Sequence, residues 1–310
     1  MLVTVTLNPA VDKNCKIDNF KPGEVNRISE HSESAAGKGI NASKAAVILG
    51  EKSIALGFIA GTNGKFIENS LIKNNIKCDF IEVNGNVRTN MTILDKHNNM
   101  VTEITEPGFN ITENDIKKLE ERIYQYAKLS PYILFAGSIP AGCPDDIYAR
   151  LIETARNAGT IPILDASGSA LIKGVNAKPF MIKPNQDEIK QLLNIEIENN
   201  GQLIDSAVKL YNSGIKLVIV SLGKKGALCV SKEGVYIADS PYVPVINTVG
   251  CGDTMVACFM IGLIHKWDMK KTLSLAIAAS SANCMTEYPA YFKLSDVNNI
   301  LEKVQVKQIK

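Results

Sequence analysis

The chain has 310 residues, of which 45% are hydrophobic and 21% are charged, so it can bury a sizeable core. Its 34 lysines and arginines nearly balance 32 aspartates and glutamates, and the net charge of +2 excludes the basic bias typical of proteins that bind nucleic acid. The seven cysteines form no C-x-x-C pair, and the three histidines lie far apart. We therefore predict reduced thiols, a cytoplasmic location and no histidine-based metal cluster.

Neither the N-terminus nor the longest apolar run favours export or membrane insertion. The N-terminal segment lacks a charged region and a cleavage site, so we expect no signal peptide. The apolar run from Met255 to Ile264 is shorter than a bilayer span, and His265 and Lys266 follow it. We expect no membrane partner and interpret this run as a helix of the core.

A polar residue follows the first predicted strand. The sequence LVTVTL at residues 2–7 is β-branched and apolar, and it ends at the turn signal Asn8-Pro9, after which comes Asp12. In open parallel sheets, ligands bind beyond the carboxyl ends of the strands. Asp12 is therefore a candidate for binding a polar small molecule, and an ordinary turn aspartate is the alternative.

Two polar segments, 13–36 and 86–107, are predicted to form a small flap outside the core. The first contains weak strands, and the second is a hairpin with one exposed face. Arg27 and Arg88 lie in these segments, and together they could clamp a phosphorylated substrate. Either arginine alone is better explained as a solvated surface residue.

A glycine turn precedes the alanine-rich helix predicted within residues 34–50. Gly37 and Gly39 flank Lys38, which is not the order of a phosphate-binding Walker A loop. No apolar strand leads into the turn, so a dinucleotide site is also poorly supported. We expect the backbone of this turn to approach a sugar or phosphate oxygen.

The rest of the chain alternates between strands and helices joined by short loops. This order predicts an α/β fold with a doubly wound, mostly parallel sheet flanked by helices. Ser138 and Asp165 fall at the ends of predicted strands, and Asn185 begins a helix with acidic residues in its first turn. The predicted helices lie near 64–74, 113–128, 145–158, 269–286 and 295–305, and the strands at 54–59, 132–137, 161–164, 180–183 and 217–223.

The sequence TVGCGDT, which begins at Thr248, opens the apolar run. Gly250 and Gly252 permit a tight turn, and the first N–H groups of the following helix could bind a phosphate. Asp253 directly follows and could accept the proton of a hydroxyl group. A plain glycine turn with Asp253 as the helix N-cap is the alternative.

Six motifs occur in order between Leu2 and Asn283: TLNPAVD, AGKGIN, GSIPAG, KPNQDE, VSLGKKGAL and TVGCGDTMVA. Together they resemble the ribokinase-like carbohydrate kinases, in the phosphofructokinase-B branch. The resemblance implies one ribokinase-like domain over residues 1–310, with a small β-sheet lid formed by segments 13–36 and 86–107. It also implies ATP with Mg²⁺, and a ketohexose phosphate as acceptor. Fructose 1-phosphate is the preferred expectation, tagatose 6-phosphate is the alternative, and a homodimer through the lid is expected.

The resemblance also implies roles for individual residues. Asp253 would be the catalytic base beside an anion hole formed by Gly250, Cys251 and Gly252. The acceptor would be held by Asp12, Arg27, Gly37, Lys38, Gly39, Asn41, Arg88, Ser138 and Asp253. ATP would contact Lys183, Asn185, Ser221, Gly223, Gly226, Thr248, Gly250, Gly252 and Asn283. Glu188 would hold Mg²⁺ through water.

The chain departs from the family pattern at two positions. Ala36 replaces the first glycine of the usual GGKGIN motif, and Cys251 replaces the usual alanine or serine of the anion hole. Both replacements are small, so the backbone turns should persist. A helix N-terminus could favour the thiolate of Cys251 and make it sensitive to oxidation, whereas a buried, inert thiol is the alternative.

Two other functions compete with a sugar-phosphate kinase. A kinase for a free sugar or nucleoside would not need an arginine clamp, so Arg27 and Arg88 argue against it. A ligand-binding protein that has lost catalysis would not need Asp253, Lys183 and Glu188, which are all present. We therefore expect a phosphotransferase with an alcohol group as acceptor.

Overall fold

The computed structural model describes residues 1–310 and contains two β-sheets. The strands, in chain order, are β1 (Leu2–Thr6), β2 (Ala10–Ile17), β3 (Glu30–Ala36), β4 (Ser53–Ile59), β5 (Lys77–Glu82), β6 (Arg88–Asp95), β7 (Met100–Thr105), β8 (Tyr132–Ala136), β9 (Ile161–Asp165), β10 (Met181–Ile182), β11 (Leu217–Ser221), β12 (Ala227–Ser231), β13 (Gly234–Ala238) and β14 (Val306–Gln308). The helices are α1 (Lys38–Ile48), α2 (Gly61–Lys73), α3 (Glu113–Ala127), α4 (Ile147–Asn157), α5 (Gly168–Asn176), α6 (Gln186–Leu193), α7 (Asn200–Asn212), α8 (Cys251–Ile264), α9 (Met269–Cys284) and α10 (Leu294–Leu301).

The large sheet has ten strands in the order β14-β13-β12-β11-β10-β9-β8-β1-β4-β5. Neighbouring strands from β5 to β11 are parallel, and those from β11 to β14 are antiparallel. Every residue of β1 and β4 is buried, as expected for strands covered on both faces. The prediction of a doubly wound, mostly parallel sheet flanked by helices is confirmed.

Helices cover both faces of this sheet. Most of α1 packs with α8, α9 and α10 in one apolar cluster, and α2 to α7 contribute to the other. Helix α8 lies against both α1 and α9, and its residues from Asp253 to Gly262 are all buried. Because α8 is apolar around its whole circumference, it can be stable only inside the protein. This confirms the interpretation of the apolar run as a core helix, and no helix of the chain has the length and apolar character needed to cross a bilayer.

The small sheet has four strands in the order β3-β2-β6-β7 and contains the predicted hairpin, β6 and β7. Its first strand begins at Ala10, directly after Pro9, so Asp12 lies in a strand and the alternative of an ordinary turn aspartate is wrong. Buried and partly exposed residues alternate only in the second half of this strand, from Asn14 to Ile17, as expected for a strand with one covered face. In the register of β2 with β6, Asp12 pairs with Asn90.

A close approach between two backbones stabilises the carboxyl end of β1. Gly57 in β4 has φ +133°, and a Cβ atom added to it would lie 1.9 Å from the carbonyl oxygen of Thr6. Only glycine can occupy this position without moving β1 or β4. The end of β1 is thereby held where the loop that leads to Asp12 begins.

We predict that Gly57→Ala lowers the free energy of unfolding by about 3 kcal/mol or more, because strain at positive φ adds to a steric clash with β1. Gly159→Ala is the matched control. Gly159 has φ +85° but no atom within 4 Å of its added Cβ, so only the backbone strain of about 1–2 kcal/mol applies. Urea unfolding followed by circular dichroism measures both, and equal losses would contradict the close approach.

Candidate active site

The candidate site lies where the carboxyl ends of the central strands meet the beginnings of α1 and α8. Gly37 and Gly250 are the N-cap residues of these two helices. Asp165 is the last residue of β9, and Lys183 directly follows β10. Residues that are distant in sequence therefore meet at one edge of the sheet, which is the expected ligand-binding edge of this architecture.

The turn before α8 requires glycine and leaves backbone donors free. Gly250 has φ +81°, and an added Cβ would lie 2.9 Å from Pro289. An added Cβ on Gly252 would lie 3.0 Å from the Nζ atom of Lys183. The amides of Gly252 and Asp253 donate to no protein acceptor, and no side chain caps the helix. The alternative of Asp253 as the N-cap is therefore wrong, and the turn offers free N–H groups at the positive end of a helix.

Asp253 belongs to a buried cluster of two carboxylates and two lysines. Its Oδ2 atom accepts a hydrogen bond of 2.8 Å from Asn41 Nδ2. The Oδ1 atom of Asp165 lies 3.1 Å from Lys38 Nζ and 3.6 Å from Lys183 Nζ. Only 7% of Asp253, 2% of Asp165 and 7% of Lys183 are exposed. The lysines and the free amides thus place positive charge next to the turn.

The surroundings shift the pKa values of Asp253 and Asp165 in opposite directions. Burial, followed by the charge of Asp165, raises the pKa of Asp253 to about 6, although Lys38, Asn41 and Lys183 oppose the rise. Burial also acts to raise the pKa of Asp165, but Lys183 and Lys38 outweigh it and hold that pKa below its ordinary value. Asp165 is therefore the permanent anion of the cluster, and Asp253 can gain or lose a proton near neutral pH.

A second polar group lies between the large sheet and the small sheet. Asn90 Nδ2 donates to Asp12 Oδ1 at 2.9 Å. The Nη2 atom of Arg88 donates to the carbonyl oxygen of Asn8 at 3.2 Å and to Ser138 Oγ at 3.3 Å. Burial raises the pKa of Asp12, and the hydrogen bond from Asn90 and the charges of Lys44 and Arg88 reduce the rise.

Several buried polar atoms in these two groups have no partner within the protein. They include Asn41 Oδ1, Asn90 Oδ1, Asn8 Oδ1 and Arg88 Nε. Buried polar atoms are normally hydrogen-bonded, because an unpaired one costs about 1–3 kcal/mol. Three unpaired amide oxygens and one unpaired guanidinium N–H suit a ligand that carries hydroxyl groups and an anion.

Several residues predicted to bind ATP lie in the segment that follows Lys183 and in the segment paired with it. Asn185 Oδ1 accepts from the amide of Glu188, and Glu188 Oε2 accepts from the amide of Asn185, both at 2.8 Å. This capping box confirms the predicted helix start. Asn185 forms an isolated bridge with Ser221, after which Gly223 begins a single 3₁₀ turn.

The remaining predicted residues lie beside the loop before α8, at the end of the 3₁₀ turn and in an exposed loop of the small sheet. Asn283, at the end of α9, donates from Nδ2 to the carbonyl oxygen of Val249 at 2.9 Å and so fixes the loop that contains Thr248. Gly226 ends the 3₁₀ turn. Arg27 is exposed in the loop between β2 and β3 and makes no ion pair or hydrogen bond within the protein. The arginine clamp of Arg27 and Arg88 therefore stays a prediction.

Asp165, Asn90 and Asn8 were not predicted as site residues. The position of Asp165 at a strand end was the available signal, since parallel strands present such residues at one edge. For Asn90 the available signal was its place beside Arg88 at the start of the flap hairpin. Asn8 had been interpreted only as part of a turn.

A buried, titratable carboxylate beside free helix amides is suited to transferring a phosphoryl group to a hydroxyl group. Comparison with known proteins identifies the class to which this site belongs. Residues 3–293 match the pfkB family of carbohydrate kinases, so the chain belongs to this family. It is therefore a kinase, that is, a phosphotransferase.

Individual relatives cover nearly the whole chain. A tagatose-6-phosphate kinase of Staphylococcus epidermidis is 34% identical over 313 residues, which span 100% of both chains. A 1-phosphofructokinase of Bacillus subtilis is 34% identical over 287 residues, or 93% of each chain. The solved phosphofructokinase-2 of Escherichia coli is similar with a TM-score of 0.92 and 27% identity, over 97% of this chain and 98% of that one.

We predict that Asp253→Asn stabilises the protein in a pH-dependent way. The pKa of Asp253 is about 6 in the folded protein, against 3.8 for its ordinary value. A raised folded pKa contributes stability that is fully present below the ordinary pKa and is lost as pH rises through the folded one. Asparagine does not titrate, so the difference in unfolding free energy between variant and wild type should grow as the pH rises from about 4 through the folded pKa, and it should level off above that at up to about 3 kcal/mol.

Urea unfolding at several pH values measures this difference. The exposed Asp145 supplies the control, because Asp145→Asn removes the same charge outside the cluster. A difference between Asp253→Asn and wild type that does not change with pH would contradict the burial of this carboxylate.

Proposed function

We propose that the protein transfers the γ-phosphoryl group of ATP to fructose 1-phosphate and produces fructose 1,6-bisphosphate. The observation that carries the proposal is the carboxylate of Asp253, which Asn41 orients beside the free amides of the α8 turn. Arg88 supplies a partly buried guanidinium with an unpaired Nε atom for the phosphate already on the sugar. Asp253 and Arg88 would thus act on opposite ends of one acceptor.

In the proposed reaction, Asp253 accepts the proton of the position-6 hydroxyl group as the phosphoryl group arrives. With a pKa of about 6, its carboxylate is mostly ionised at neutral pH and is more basic than an exposed aspartate. The amides of Gly252 and Asp253 and the lysines Lys38 and Lys183 stabilise the charge on the transferred oxygens. Catalysis of this kind depends on positioning and charge neutralisation more than on a strong base.

The acceptor would contact both groups of unpaired polar atoms. Asp12, Asn41 and Asn90 would bind hydroxyl groups of the sugar, with the backbone at Gly37 and Gly39 close to its ring. Ser138 and Arg88 would face its phosphate. The small sheet, whose strands lie mostly within the segments 13–36 and 86–107, would act as a lid on one kinase domain of residues 1–310 and exclude water from the reaction.

The nucleotide would extend from Lys183 toward Asn185 and Ser221, along Gly223 and Gly226, with Thr248 and Asn283 beside the turn. The residues present fit Mg²⁺, because this ion is commonly held by one or two carboxylates together with water and substrate phosphates. Glu188 uses only Oε2 in the helix cap and would hold Mg²⁺ through water. When bound, Mg²⁺ would neutralise charge on the phosphate oxygens.

Tagatose 6-phosphate is the second candidate acceptor. The tagatose-6-phosphate kinase of Staphylococcus epidermidis matches this chain along its full length at 34% identity. The two acceptors are ketohexose phosphates of similar size, so selection between them depends on one or two hydroxyl contacts. A buried polar atom left unpaired by the wrong sugar makes such contacts decisive.

We further propose a cytoplasmic homodimer that forms through the small sheet. Exposed apolar side chains on this sheet and its β2–β3 loop support an interface: Val25, Ile28, Met100, Val101 and Ile104. The phosphofructokinase-2 of Escherichia coli has been solved in a tetrameric form. All seven cysteines are free thiols, which favours a reducing compartment.

The substrate proposal is tested by measuring kcat/KM for fructose 1-phosphate, tagatose 6-phosphate and fructose 6-phosphate with ATP. We expect the highest value for fructose 1-phosphate. In Arg88→Met, kcat/KM should fall about 10- to 100-fold through a higher KM, because a charge-assisted hydrogen bond is lost. Arg122→Met is the control, since Arg122 pairs with Asp79 away from the site.

Two outcomes would contradict the proposal in different ways. A clear preference for either 6-phosphate would overturn the choice of sugar but leave the kinase activity standing. Equal kinetics in the Arg88 and Arg122 variants would overturn the role of Arg88 in binding the sugar phosphate.

A further inference from the structure

Two cysteines from different helices meet at the turn that contains the free amides. Cys251 is the first residue of α8, and Cys284 is the last residue of α9. Their Sγ atoms are 3.0 Å apart, and both residues are only half-buried. No other pair among the seven cysteines is in contact, so this dithiol is a specific feature of the turn.

The pair has the chemistry of a nucleophilic and a resolving thiol. The hydrogen bond from Cys251 lowers the pKa of Cys284, although burial opposes the shift. The same hydrogen bond, together with burial, raises the pKa of Cys251. These shifts favour the thiolate at Cys284, whereas the sequence had suggested that the helix terminus could favour one at Cys251.

The thiol of Cys251 is also part of the network that fixes the turn. Asn283 Nδ2 donates to Cys251 Sγ at 3.1 Å and to the carbonyl oxygen of Val249 at 2.9 Å. Ser280 Oγ donates to the carbonyl oxygen of Cys251 at 2.9 Å. A disulfide bond would draw the two sulfur atoms about 1 Å closer than they are now. Because Asp253 follows two residues later, this shift would act directly on the free amides.

We propose that Cys251 and Cys284 are a modification site at which a hydroperoxide forms a reversible disulfide that lowers the turnover of the kinase. The Cys284 thiolate attacks one oxygen of hydrogen peroxide, the O–O bond breaks, and the departing hydroxide takes a proton to become water. The Cys251 sulfur then attacks the resulting sulfenic acid and expels its hydroxyl group, which leaves as water with the Cys251 proton. Two thiols are oxidised to one disulfide, and one peroxide is reduced to two waters.

The effect on turnover rests on the proposed function, whereas formation of the disulfide does not. A displacement of about 1 Å at a catalytic group can lower a rate about a hundredfold. We therefore expect oxidation to reduce kcat about 10- to 100-fold with the best acceptor. A thiol reductant should restore it, since the bond is exposed enough to be attacked.

The test treats the full chain with hydrogen peroxide and divides each sample between peptide mass mapping and kinetics. We expect a Cys251–Cys284 cross-link, the loss of two hydrogen atoms, and a parallel fall in kcat that dithiothreitol reverses. Cys284→Ser should keep its basal turnover and should not lose turnover in peroxide. If serine disturbs the end of α9, Cys284→Ala repeats the test. Cys143→Ser is the matched control, because Cys143 is half-buried without a thiol partner, and it should respond like the wild type.

Three outcomes decide the proposal. Absence of the cross-link overturns it, and so does a cross-linked protein that keeps its full turnover. If the reduced protein phosphorylates no sugar phosphate, the proposed function is wrong. The presence or absence of the cross-link in the peptide mass map then decides whether the two cysteines are a modification site.

Discussion

The site depends on the ion pairs that a single buried carboxylate, Asp165, makes with two lysines. Only 2% of Asp165 is exposed, and a carboxylate at that depth is unfavourable unless it is paired. Lys38 and Lys183 supply the pairing at 3.1 Å and 3.6 Å. The same charge acts on Asp253 and helps to raise its pKa to about 6. One fixed anion therefore positions both lysines and makes a second carboxylate a better proton acceptor.

The four residues of this cluster lie in or next to four different elements of the fold. Asp165 ends β9, Lys183 follows β10, Lys38 begins α1, and Asp253 lies in the first turn of α8. They meet because parallel strands end at one edge of the sheet and both helices start there. Gly252 completes the arrangement, since a side chain in its place would press against the Lys183 ammonium group. The glycine turn thus provides room for the lysine as well as free amides for a phosphate.

Local sequence was sufficient wherever the structural cause is local. The glycine turn with its apolar run predicted α8, and Asn185 followed by acidic residues predicted the start of α6. Asp165 could not be assigned in the same way, because its partner Lys38 is 127 positions distant. The start of the strand that contains Asp12 was not predicted, since Pro9 marks a turn but the chain resumes a strand immediately after it. Arg27 could not be assigned for a different reason. It lies in an exposed loop, and no residue near it in the sequence or in the fold fixes the position of its side chain.

The most direct test of this account is the turnover number of Asp253→Asn with ATP and the best sugar phosphate. Asparagine keeps the size of the side chain and cannot accept the proton of the hydroxyl group. We expect kcat to fall about 10²- to 10⁴-fold, the usual contribution of general-base catalysis, while calorimetry shows that the sugar phosphate still binds. A kcat close to that of the wild type in a correctly folded variant would contradict it.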